Sequence, residues 1–224
     1  MQSFLDQLSP YQFTPEQMAI LEVQDDMRRV TNDLALVYAQ SYHGYSLLAE
    51  HLERSKAALI EQIGQTSSLS EAQAIYDKIS GLLISNALPD RLVTPPAVGS
   101  TRNLLTRNSV EGENITLLGA FCLIALYQHW EDSWRPRIAK AMACDKNELK
   151  SDFWGDVRLL RICVIHKRGV ADASVGEKCK QLRWFKSGEP IVIDPPKLKE
   201  LIVQAQEFAE KIPLLFDPTQ PQKL

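Results

Sequence analysis

Apolar positions in the first third of the chain recur three and four residues apart. Ile20, Val23, Met27, Val30, Leu34 and Val37 fall on one side of a helix, a narrow seam of the kind that packs against another helix. The start of that helix is written just ahead of it. Thr14 stands as N-cap, Pro15 takes the first helical position where no amide is needed, and Gln17 completes a capping box. The seam weakens at Ser41 and Gly44 and resumes with Leu48, Leu52, Leu59 and Ile63. The pattern therefore predicts one very long helix, or two with a bend near Gly44, ending at Gly64.

Ser70 and Gln73 make a second capping box before a short helix through Ile75, Ile79, Leu82 and Leu83. From Leu88 to Glu113 no period survives, because Pro89, Pro95, Pro96 and Gly99 interrupt it, and a long connection is expected. A third helix begins at Asn114 and is apolar nearly all round to Tyr127, as a helix central in a bundle would be. Its stripe Leu117, Phe121, Ile124, Gln128 reaches Glu131, which puts that acid toward the core or a cleft, where it needs a partner: Arg158, Arg161 or Arg135. Pro136 should end or kink the helix. Asp145 and Glu148 form a further capping box, opening a helix whose Leu149, Phe153, Val157, Leu160 and Val164 share the buried face. Beyond Gly169 the chain turns polar, Pro190 to Asp194 reads as a small hairpin or extended segment, and Asp194 with Pro195 caps the last helix. That helix carries Leu198, Leu201, Ile202, Ala205, Phe208 and Ile212 on one stripe and is stopped by Pro213.

These elements predict an all-α helical bundle with a long N-terminal helix or helical hairpin and one small extended segment near 190–194. Three parts are expected: a helical part over 1–88 packing on the bundle, a long loop over 89–113, and a helical core over 114–224.

Composition narrows the function. A chain of 224 residues can bury a sizeable core unaided, and with a net charge of -3 it lacks the generally basic surface of a bulk nucleic-acid binder. Any polyanion must meet a local patch. One exists: eight Lys or Arg stand between Arg158 and Gly188 against Asp172 and Glu177, with Trp184 and Phe185 among them. Such an aromatic pair more often belongs to a core than to a base-stacking platform. The longest apolar stretch, Ile115 to Tyr127, is too short to cross a bilayer, and MQSFLDQLSP has no secretory pattern. Cys122, Cys144, Cys163 and Cys179 show no paired spacing, as expected of reduced thiols in a cytoplasmic protein. His43, His51 and His129 have no ligand spacing and no glycine-rich phosphate loop occurs, so neither metal nor cofactor is expected.

The candidate chemistry lies in Arg161-Ile-Cys-Val-Ile-His166, followed by Lys167-Arg168-Gly169. A guanidinium can fork onto a phosphate and an imidazole can move a proton near neutral pH, which together suit a metal-free ribonuclease. A plainer account makes both residues cations welcomed by a helix C-terminus. Five residues apart on a helix, the two side chains point ~140° from each other, so catalysis requires either that the helix stop before His166 or that a two-fold dimer pair each arginine with the other subunit's histidine.

The segment Arg158 to Gly169, with the preceding helix Leu117 to Arg135 that carries Tyr127 and Trp130-Glu131-Asp132, resembles the HEPN superfamily, whose ribonuclease members carry an arginine, four to six residues and a histidine. The resemblance covers roughly Asn114 to the end. It implies a helical bundle, a homodimer, RNA cleavage without metal, and a role as toxin or antiviral defence effector, with an antitoxin or defence-system protein as possible partner. Arg161 and His166 would be the catalytic pair, Glu131 and Arg158 supporting residues, Lys167 and Arg168 RNA contacts. Active members commonly carry a polar residue, often Asn, directly after the arginine; here it is Ile162. That departure suits the alternative, a catalytically silent module that binds RNA, a nucleotide or a protein.

Overall fold

The computed structural model describes residues 13–64, 68, 70–71, 74, 105–109 and 112–212. The described residues are predominantly helical, and their one β-type contact is an isolated antiparallel bridge between Val170 and Pro190. The bundle expected from periodicity is therefore what forms. Among the described residues no helix is long and apolar enough to cross a membrane.

Helix α1 runs unbroken from Pro15 to Gly64. Its cap is the one written in the sequence: Thr14 N donates to Gln17 Oε1 at 3.0 Å and Gln17 N to Thr14 Oγ1 at 3.2 Å. Gly44 causes no break, since nothing lies within 4 Å of where its Cβ would be and the i to i+4 ladder runs past it. Ile20, Val23, Met27 and Val30 are buried as expected, but Val37 is 53% exposed and Tyr38 takes the buried position. A straight helix gains about 20° per heptad on a strict seven-residue repeat, so the stripe has moved one residue on by the sixth turn.

The described residues fall into two compact units, one comprising those up to Tyr38 and from Leu118 on, the other those from Ala39 to Leu117. The divisions lie at 38/39 and 117/118. In the second unit Leu52 and Ile115 are buried, Arg107 pairs with Glu113 at 3.1 Å, and Asn114 Nδ2 donates to Asn108 Oδ1 at 2.7 Å. Ser68 and Glu71 exchange reciprocal cap bonds there; Gln73, and with it the capping box expected with Ser70 and the helix expected after it, lies outside the described residues.

Helix α2 (Glu113–His129), which belongs to the first unit from Leu118 on, passes through a π-turn (Trp130–Trp134) into α3 (Arg135–Ala141). Pro136 does not stop the chain. It has no amide to donate and its ring crowds the carbonyl four residues back; the wider turn, closed by Arg135 N–H on Trp130 O, makes that room just upstream. The stripe expected to be core on α2 is its outer face, with Leu117 48% and Phe121 65% exposed, while Cys122, Leu123, Leu126, Tyr127, Trp130 and Trp134 are buried. A helix apolar on every side has no periodicity by which to choose a face, and packing chooses it. Gly119 fixes the choice: a Cβ there would stand 2.3 Å from Ile193 O, so the extended segment lies directly on the α2 backbone. Tyr38 Oη donates to the same carbonyl at 3.1 Å.

Helix α4 (Asp152–His166) begins later than its sequence suggests. Asp145 caps only a turn, receiving Asn147 N at 2.7 Å, and Ser151 is the N-cap, receiving Trp154 N at 3.4 Å. A short side chain bonding its own backbone two residues on competes with helix, and here it wins. Phe153, Trp154, Val157, Leu160 and Cys163 are buried, and the Trp154 indole stacks on Trp130 at 4.6 Å with an interplanar angle of 2°. Phe208 closes the cluster edge-on at 5.3 Å from Trp130. It belongs to α6 (Pro195–Lys211), capped by Asp194, which receives Lys197 N at 3.0 Å. Helix α6 packs on the first turns of α1, where Gln24 Nε2 donates to Ala209 O at 2.6 Å inside the interface. Between α4 and α6 lies α5 (Ala173–Lys178), capped by Asp172.

Candidate functional site

Helix α4 carries its core residues on one face and delivers its last turn to solvent. That turn includes His166, so the helix does not stop short of the histidine. Arg161 and His166 thus remain ~140° apart around the axis and ~7.5 Å apart along it, and one chain does not bring them together on a shared phosphate.

The turn beyond is tightly built. Lys167 N and Gly169 N both donate to Cys163 O, at 2.9 and 3.1 Å, so the last helical bond and the turn beyond it close on one carbonyl. Gly169 at φ +73° is the usual residue for such an end, but Arg168 precedes it at φ +56°, a left-handed conformation that costs a side-chain-bearing residue of order 1–2 kcal/mol. Ile191 N holds the turn from outside by donating to Gly169 O at 2.7 Å. Lys167 and Arg168 are therefore presented on a rigid corner, and both are exposed, as are Arg158 and His166. None of Arg158, Arg161, Lys167 or Arg168 forms an ion pair among the described residues, whereas Lys180, also in the basic segment, is held by Asp152 at 2.7 Å.

Arg161 is half-buried. Its guanidinium carbon lies 5.6 Å from the centroid of the Tyr127 ring, within the range of a cation–π contact, and its Nε is buried without a hydrogen-bond partner. Tyr127 is itself buried and donates its hydroxyl to Glu131 Oε2 at 3.4 Å. Burial, and then the Glu131 charge, push the phenol above its ordinary pKa, so it stays a neutral donor. Glu131 is half-buried, as its position suggested. Its partners are Arg135 at 3.0 Å and Lys146 at 3.5 Å, not Arg158 or Arg161. It reaches Arg161 only through the tyrosine.

The aromatic pair is anchored rather than offered. Trp184 Nε1 donates to Glu200 at 3.0 Å, Phe185 is buried, and Lys197 stands 5.6 Å over the Phe185 ring. Of the arginines between residues 89 and 113, Arg107 is paired with Glu113, and Arg91 and Arg102 lie outside the described residues.

Sequence reasoning overlooked Asp156. Only 2% exposed, its carboxylate receives the backbone N–H groups of Lys180, Gln181 and Leu182 at 2.6 to 3.0 Å and so fixes the start of the 180–188 segment to α4. A signal was available, since Asp156 sits between Phe153 and Val157 on the face assigned to the core, and a carboxylate there requires donors. No protein-family model, curated protein or solved structure matches this chain.

Proposed function

We propose that the protein is a metal-independent endoribonuclease of the HEPN kind, working as a two-fold dimer in which Arg161 of one subunit acts with His166 of the partner subunit. The observation behind it is the end of α4: an exposed imidazole followed by the exposed Lys167 and Arg168, with Arg158 exposed about two turns earlier on the same helix, and no carboxylate paired to any of those three cations among the described residues. Unneutralised cations on a protein of net charge -3 favour a polyanion at that place. The two-fold pairing answers the separation of Arg161 and His166 along one helix.

Chemically, the imidazole accepts the proton of a ribose 2′-hydroxyl as its oxygen bonds to phosphorus. The bond to the 5′-oxygen then breaks, and the same imidazole returns the proton to that oxygen. Arg161 stabilises the added charge on the five-coordinate phosphorus, an interaction of the sort often worth ~3 kcal/mol. The products are a 2′,3′-cyclic phosphate and a 5′-hydroxyl. DNA, lacking the 2′-hydroxyl, is not cut. The biological setting we infer from the family resemblance is a toxin or defence effector held in check by a partner protein.

A second reading keeps the RNA and removes the chemistry. Ile162 beside Arg161, and the retention of Arg161 against Tyr127, favour a binding module. Purified protein incubated with single-stranded RNA and excess chelator separates the two. Cleavage that survives chelation and disappears in both Arg161→Ala and His166→Ala supports the enzyme; cleavage that needs metal, or persists in either variant, overturns it. RNA retained but uncut moves the assignment to the binding module.

A further inference from the structure

Arg161 is held by a ring instead of an acid. A carboxylate partner would neutralise the guanidinium and would have to be displaced before a phosphate could bind. An aromatic face supports the cation while leaving its N–H donors unspent. Among the described residues no hydrogen bond is made by the Arg161 side chain, and of its side-chain nitrogens only Nε is buried. The terminal nitrogens are left for a ligand. The ring beneath is fixed at its far end, because the Tyr127 hydroxyl bonds Glu131, and Glu131 is tied to Arg135 and Lys146. The π-turn that follows α2 holds this arrangement, since Glu131 lies within it. Glu131 is thereby committed to two other cations and does not compete for Arg161.

We infer that Tyr127 is a positioning residue, which holds the Arg161 guanidinium uncompensated and directed toward a single RNA phosphate. This rests on reading the end of α4 as an RNA site, and it needs no cleavage to be tested. The probe is a labelled single-stranded RNA oligonucleotide, and the quantity is the slope of log affinity against log salt, whose magnitude falls by about 0.7 for each phosphate that the protein ceases to neutralise. Arg161→Ala should show that decrease. Tyr127→Leu should show the same decrease, the double variant no more than either alone, and Tyr127→Phe, which keeps the ring, the wild-type slope. A residue that only supports the fold would lower the melting temperature of Tyr127→Leu without altering its slope.

A wild-type slope in folded Tyr127→Leu, beside a reduced one in Arg161→Ala, overturns the inference and spares the RNA site. A wild-type protein that neither binds nor cuts RNA overturns the site, and the inference with it. A measurement without substitution at 127 guards against a variant that does not fold. In protein labelled with 15N-arginine, the Nε–H signal that vanishes in Arg161→Ala should be shifted upfield by the Tyr127 ring and should move when RNA is added. A signal at the position of a solvated arginine, unmoved by RNA that binds, overturns the inference as well.

Discussion

Replacing Asp156 by asparagine changes the shape of the side chain hardly at all and removes its charge. In the native protein one oxygen, Oδ2, receives Lys180 N at 2.9 Å, Gln181 N at 2.6 Å and Leu182 N at 2.8 Å, and Oδ1 receives Lys180 N at 3.0 Å. An asparagine oxygen can take the place of Oδ2, but its amide then faces Lys180 N–H, donor against donor, and the remaining bonds lose their charge assistance. A hydrogen bond to a charged group contributes about 1.5–3 kcal/mol and a neutral one about 1, so three weakened bonds imply a loss of about 2–3 kcal/mol. Asp156→Ala leaves all three donors without an acceptor. Lys180 and Gln181 are exposed and recover water, but Leu182 is fully buried, and the total rises to about 4 kcal/mol. The neighbouring Cys179 thiol, pushed up to about 12 by burial and then by the Asp156 charge, remains protonated throughout.

All four tryptophans lie between residues 130 and 184, within the unit that contains Asp156, so intrinsic fluorescence follows that unit. For a chain of this size each kcal/mol moves the melting temperature by about 2–4 °C, which places Asp156→Asn roughly 4–12 °C below wild type. An asparagine variant within about 1 °C of wild type, or an alanine variant no worse than asparagine, would refute the carboxylate clamp.

Three further outcomes follow from particular interactions. Gly119→Ala should raise helix propensity by about 1 kcal/mol yet destabilise the protein by about 1–3 kcal/mol in urea titration, because the new methyl meets Ile193 O at 2.3 Å; a net gain would show that Ile193 can move aside. Burial opposes ionisation of Asp26, but the Trp134 indole N–H at 2.9 Å, with Arg29 and Arg137, holds its carboxyl below the ordinary range. Its ionised form therefore adds stability that is present above the unfolded value of about 4 and is lost as pH falls through the lower, folded one. Stability curves of wild type and Asp26→Asn should differ by about 1–2 kcal/mol at about pH 6 and converge toward about pH 3; a gap independent of pH would contradict this. Arg168→Gly should relieve the left-handed strain at φ +56°, raising the melting temperature by an amount equivalent to about 0.5–1 kcal/mol while weakening RNA binding; loss of stability would show the turn to be unstrained.

What could be read from the sequence was local. Thr14, Pro15 and Gln17 start a helix by bonds among themselves, and Asp194 does the same for α6, so both starts were legible without any partner in view. The face of α2 was not, because an apolar surface on every side leaves the choice to Ile193 and Gly119, residues far apart in sequence. The start of α4 was misplaced because Asp145 suits a cap and a turn equally well, and only packing of Leu149 and Trp154 decides between them. In the candidate site the motif named Arg161 and His166. It could not reveal that α4 continues through the histidine, that Tyr127 lies under the arginine, or that Glu131 is occupied by Arg135 and Lys146, since each depends on tertiary structure.

The central proposal joins Arg161 and His166 across a two-fold axis, and complementation tests it directly. Arg161→Ala and His166→Ala proteins, each inactive alone, are unfolded together, refolded as an equal mixture and assayed on single-stranded RNA with chelator present. In a dimer with shared sites half the molecules are mixed and each restores one of two sites, so roughly a quarter of wild-type cleavage should return. A mixture as inactive as its components, from a wild-type protein that cleaves, would contradict a site built by two subunits.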